Sequence, residues 1–192
     1  MKRFLLVLAI AGAATQAGGA GAAHQSSIAL KIGDAVDVVG TKIACYAIHS
    51  SGKDGMACVL LKGSNPAPGT YGAGLAVDGS PVITFIKANG TGTTVFKRKP
   101  QAAKKVYRVQ VGDRFGLVIS SSVSLGCQVI NVTSTLVGPL YRGIKVSCYR
   151  ATATAPLPST YGISISNKIA GWFRFDAQGR VTKQGAVWRQ SG

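Results

Sequence analysis

The chain has 192 residues, with 22 Lys plus Arg against six acids, all Asp, for a formal net charge of +16. Such a balance repels like-charged chains and attracts polyanions such as wall polymers, acidic polysaccharides, DNA and lipid headgroups. Four cysteines and two histidines leave little room for metal chemistry: no C-x-x-C and no His pair at zinc spacing occurs.

Residues 1–23 read as a signal peptide: Met1-Lys2-Arg3 is a charged start, an apolar run follows, and Ala22 or Ala23 ends an A-x-A-like exit. That run is shorter than the ~20 residues of a bilayer span, so an exported protein with no integral membrane span is expected. After it, helical periodicity is nearly absent and short β-branched runs dominate. In the first half they cover 27–31, 35–39, 42–48, 56–61, 70–77, 82–87 and 93–97. The second half offers 106–111, 115–120, 124–129, 144–150, 160–166, 172–175, 180–182 and 186–189. Turn residues separate them. Ser51 to Gly55 links two of the strands, and Asn89-Gly90 and Gln178-Gly179 are expected to turn their strands, Asn-Gly as a type I′ pair.

The second half repeats the first in order. Gly33-Asp34 is answered by Gly112-Asp113, Pro66-Ala67-Pro68 by Pro156-Leu157-Pro158, and Thr70-Tyr71-Gly72 by Thr160-Tyr161-Gly162. The Pro-x-Pro begins eight positions after the second cysteine in both halves, Cys58 to Pro66 and Cys148 to Pro156. A shared order of this kind marks an internal duplication. Each unit then owns one pair of cysteines, which assigns the disulfides Cys45–Cys58 and Cys127–Cys148. The fold class is all-β: two tandem small antiparallel β-sandwich or barrel domains, each with one disulfide. The first is expected over 24–99 and the second over 106–192, with a basic linker at 100–105.

The order GD…GT-x-I-x-C…C…P-x-P-G-T-Y-G…TTVF-x-x-x-P-Q is carried by Gly33-Asp34, Gly40 to Cys45, Cys58, Pro66 to Gly72 and Thr93 to Gln101. It resembles small exported all-β domains of uncharacterised function in high-GC Gram-positive bacteria. The resemblance implies export, bacterial origin and intradomain disulfides, and no activity. It covers the first unit; the second departs, with Ser159 in place of Gly69 and a longer cysteine spacing.

Several residues are candidates for function. The densest basic run supplies Lys97, Arg98, Lys99, Lys104, Lys105 and Arg108 as an anion-binding groove, with Tyr107 to stack on a ring. The same run also reads as a solvated linker whose lysines protect edge strands. Trp172 and Trp188 are aromatic contact candidates, although Ile83 and Phe96 at the matching places favour core roles. Tyr71 and Tyr161 read as packing over their turns, and Asp34 and Asp113 as turn caps.

Enzyme motifs are missing: there is no G-x-S-x-G, and Ser50-Ser51-Gly52-Lys53 lacks the companions of its motif. No phosphate or dinucleotide loop is present either. No cofactor and no metal is expected.

The reading is a secreted, non-enzymatic binding or adhesion module whose partner is an anionic extracellular polymer or cell surface. A second reading is a homo-oligomeric subunit of a filament or other extracellular assembly, in which Ser27, Ile28, Ala29, Leu30 and Lys31 add as a strand to a neighbour. A third is a secreted inhibitor or toxin component engaging a partner through the loop from His49 to Asp54.

Overall fold

The computed structural model describes residues 27–94, 102–134, 142–152 and 155–188. The segment 1–23 read as a signal peptide, the cations Lys97, Arg98 and Lys99, and the side chain of Trp188 lie outside the described residues. Among those described, the structure is all-β, with two sheets and no helix. No helix there is long and apolar enough to cross a membrane.

The first unit contributes β2 (Ala35–Val38), β3 (Ile43–Ser50), β4 (Lys53–Lys62), β5 (Asn65–Pro66), β6 (Tyr71–Ala76) and β7 (Pro81–Phe85). The second contributes β9 (Arg114–Val118), β10 (Ser124–Val132), β11 (Gly143–Ala151), β12 (Tyr161–Ser166), β13 (Ile169–Phe175) and β14 (Val181–Trp188). Each set forms an antiparallel sheet, β2-β3-β4-β6-β7 and β9-β10-β11-β12-β13-β14. The strand expected over 180–182 and that expected over 186–189 are one strand, β14. Alternation along the strands places one face of each sheet in the interior. On β10 Leu125, Cys127 and Val129 are buried while their neighbours are half-exposed.

Two short strands cross over. β1 (Ser27–Ala29) opens the first unit but pairs in parallel with β9 of the second, Ser27 opposite Arg114. β8 (Val106–Val109) opens the second unit but pairs in parallel with β2 of the first, Val106 opposite Ala35. The exchange is reciprocal, and the same corner makes it in both units. Asp34 N–H donates to Lys31 O at 2.9 Å, and the Asp34 carboxylate accepts from Lys31 N–H at 2.9 Å. Asp113 repeats both bonds with Gln110, at 3.1 and 2.9 Å. Gly33 and Gly112 supply the positive φ, 98° and 99°, that the third position of this turn requires. Both aspartates are buried, their carboxylates used to hold the chain where it passes from one sheet to the other.

The core does not divide at the repeat boundary. One cluster contains Val36, Ile43, Cys45, Met56, Cys58 and Leu75 from the first unit. Phe115, Leu125, Cys127, Val146, Cys148 and Ile163 join it from the second. Strands β12 and β13 pack against β6 and β7. A separate pair of tandem domains is therefore not confirmed by the packing. The all-β class and both disulfides are present, the cysteines of each pair sitting directly opposite across a hairpin.

The repeated Pro-x-Pro-x-Thr-Tyr-Gly segment is one turn built twice. Thr70 Oγ1 donates to Ala67 O, and Thr160 Oγ1 to Leu157 O, each at 2.6 Å. The residue before the threonine is left-handed in both copies, Gly69 at φ 73° and Ser159 at φ 57°. A side chain in that region costs ~1–2 kcal/mol. Exchanging the two residues tests this. S159G should raise the unfolding free energy by about 1 kcal/mol, and G69S should lower it by a similar amount, because nothing crowds a Cβ at Gly69. Urea denaturation of the two variants reads both shifts.

The Asn89-Gly90 turn differs from the expected type I′ pair. Only Gly90 has positive φ, and Gly90 N–H donates to Lys87 O. The geometry is a type I turn closed by a left-handed glycine, and Gly179 closes the matching turn by donating to Asp176 O. Asn89 instead spends its side chain on Thr91, accepting from its N–H at 3.0 Å.

Candidate functional site

The basic junction is built by the crossing of β8. Lys104 N–H donates to Gly33 O at 2.9 Å, and Ala35 N–H donates to Lys105 O at 2.8 Å, so the segment zips along β2 before the strand proper begins. The Lys104 stem lies over Gly33, so close that a Cβ there would meet it at 3.0 Å. The Lys105 ammonium sits 4.5 Å from the centroid of the Tyr107 ring, a cation–π distance. Tyr107 is itself half-buried against the core. One face of its ring is thus already partnered.

Alternation separates Arg108 from Lys105 and Tyr107, since it points to the opposite face of β8 from Tyr107. There it borders a hollow of about 570 Å³ shared with Lys42, Lys62, Thr41 and Asp37. Lys42 and Lys62 were not among the sequence candidates. They come beside Arg108 because β3 and β4 pair at this end, Leu61 N–H donating to Lys42 O at 2.7 Å, and because β8 is added from the other unit. The described junction cations therefore flank an edge strand on two faces instead of lining one groove.

The acids are mostly consumed elsewhere. Asp34 and Asp113 are held in the two corners. Asp54 meets His49 at 2.7 Å, at an exposed site on the hairpin tip. Asp176 pairs with Arg180 at 2.9 Å, and Asp78 pairs with Lys53. Of the described lysines and arginines, only Lys53 and Arg180 form an ion pair with a carboxylate.

The Lys53 hydrogen bond, followed by those from Ser80, holds the Asp78 carboxyl down at about 2. A depressed carboxylate contributes its stability above the unfolded value near 3.9 and loses it as pH falls from there through about 2. The site is exposed, so the D78N penalty should stay within about 1 kcal/mol at pH 7 and shrink to a small fraction of that at pH 2. Unfolding curves at the two pH values check it.

The tryptophan candidates lie on β13 and β14, at the edge of the second sheet away from β1. Trp172 is half-buried, its ring edge-on to Tyr161 at 5.7 Å, and the Arg174 guanidinium lies 5.6 Å from the Tyr161 centroid. Tyr71 takes the matching place in the first unit and packs edge-on to Phe85 at 5.3 Å. The backbone of Trp188 pairs with Ile169. The five strand-exchange candidates are engaged within their own chain: Ser27 to Ala29 lie on β9, Leu30 N–H donates to Gly116 O, and Lys31 closes the Asp34 corner.

Near Trp172 the second sheet carries a groove of about 270 Å³ that sequence reasoning did not find. Its lining includes Lys145, Ser147, Ser164 and Ser166, four residues on two strands. β11 and β12 bring them together, Lys145 opposite Ser166 and Ser147 opposite Ser164. Ser147 Oγ donates to Ser164 Oγ at 3.3 Å. Burial lowers the pKa of the Lys145 ammonium below the ordinary lysine range. Among the described residues there is no cluster of His, Cys or Asp able to hold a metal ion. No protein-family model, no curated protein and no solved structure matches this chain.

Proposed function

We propose that the protein is a secreted, non-enzymatic binding module for anionic extracellular polymer. One observation carries this reading: five of the six acids are committed to corners and local pairs, so most of the described lysines and arginines have no carboxylate partner. Unpaired exposed cations in such excess form a lasting positive field, which draws polyanions and gives binding that salt weakens. Lys104, Lys105, Arg108, Lys42 and Lys62 lie around the β8 edge. The buried disulfides accord with an oxidising compartment outside the cytoplasm.

The test is binding of the processed protein to heparin and to duplex DNA across a salt series. Affinity should fall steeply as salt rises, with a log–log slope of about −0.9 per phosphate contacted on duplex DNA. A salt-independent affinity, or no binding at low salt, would sink the proposal. The assembly reading predicts instead a high-mass species, and light scattering on the same samples separates the two.

A further inference from the structure

The groove beside Trp172 has a twin. Counting 90 residues back, Lys145, Ser147, Ser164 and Ser166 correspond to Gly55, Ala57, Gly74 and Ala76. The twin positions pair in the same register, Gly55 opposite Ala76 and Ala57 opposite Gly74. They too line a hollow. The backbone frame has thus been kept while all four side chains differ: small and apolar in the first unit, three hydroxyls and an ammonium in the second. Scaffold demands do not account for the change, because the first unit builds the same hairpin without it.

A half-buried lysine needs a reason to be where water is scarce, since desolvation penalises its charge. No carboxylate lines the groove to compensate it. The remaining lining supplies Gln184 as a further polar group and Phe173 as an apolar wall. We propose that this groove binds a single acidic sugar ring, with its carboxylate against Lys145, its hydroxyls against Ser147, Ser164 and Ser166, and its apolar face against Phe173. A volume of about 270 Å³ lies just below the ~300–1,000 Å³ of sites for drug-sized ligands, which suits one ring. The inference rests on the polyanion reading and narrows it: the polymer is an acidic polysaccharide, with one of its rings seated here and its further charges met by the surface cations.

The probe is glucuronate, titrated into the full chain and followed by amide NMR, with glucose and inorganic phosphate as controls. Glucuronate should saturate shifts at 145–147, 164–166 and 171–173. K145M should weaken it at least tenfold. S147A and S164G, which install the first unit's own residues on the same backbone frame, should each weaken it several-fold with the spectrum otherwise preserved. Shifts mapping elsewhere would overturn the site, as would K145M titrating like the parent. Glucose or phosphate binding as tightly as glucuronate would overturn the ligand class. Heparin distinguishes the two failures. If heparin binds and glucuronate does not, the groove assignment falls and the polyanion reading stands; if neither binds, both fall.

Discussion

Replacing Cys127 and Cys148 together by alanine should lower the unfolding free energy by about 5 kcal/mol. The bridge spans 21 residues, and releasing a loop of that length costs about 3 kcal/mol on the chain-entropy model. The two cysteines are at most 2 % exposed, so each alanine also leaves a void worth about 1 kcal/mol. The Cys45–Cys58 bridge, spanning 13 residues, should cost a few tenths less. Domains commonly hold only 5–15 kcal/mol in total, so either loss threatens folding. Urea unfolding, read by fluorescence and circular dichroism, measures both. The shape of the transition carries further information. Both bridges lie in the one core cluster, so a single transition should shift whichever bridge is removed. Two transitions, one of them unmoved, would mean that the halves fold independently. A loss under about 1 kcal/mol would mean that the bridges do not hold this core.

The second large effect concerns binding. The triple variant K104Q/K105Q/R108Q keeps most of each stem and removes three charges at the β8 edge. If each cation meets one phosphate, the salt slope on duplex DNA should shrink by about 2.7, and affinity near 0.15 M salt should fall on the order of a hundredfold. Scattered substitution of three cations far from β8, such as K87Q/K168Q/K183Q, should cost much less if contact is local. Equal losses from the two variants would show that net charge alone governs binding and that the junction has no special part. A melting temperature near that of the parent is expected for both, since the described exposed cations in these sets hold no carboxylate. Lys105 is the one to watch, because its ammonium rests on Tyr107.

What the amino-acid sequence determined by itself was local or repeated. Alternation and β-branched runs made the chain all-β. The duplicated order paired Cys45 with Cys58 and Cys127 with Cys148, because each unit must close its own hairpin. Gly33-Asp34 and Gly112-Asp113 were legible as corners, since a glycine before a capping aspartate has one economical geometry. Tertiary structure alone decided where those corners lead. A strand of three or four residues has the same alternation whether it returns to its own sheet or crosses to the other, and parallel pairing between distant segments leaves no local pattern. The exchange of β1 and β8 was therefore invisible, and with it the meeting of Arg108 with Lys42 and Lys62. The groove was hidden for a related reason. Lys145 and Ser166 stand 21 residues apart in the chain, and only the register of β11 on β12 makes them neighbours, because cross-strand contact depends on a hydrogen-bond alignment that no single strand encodes.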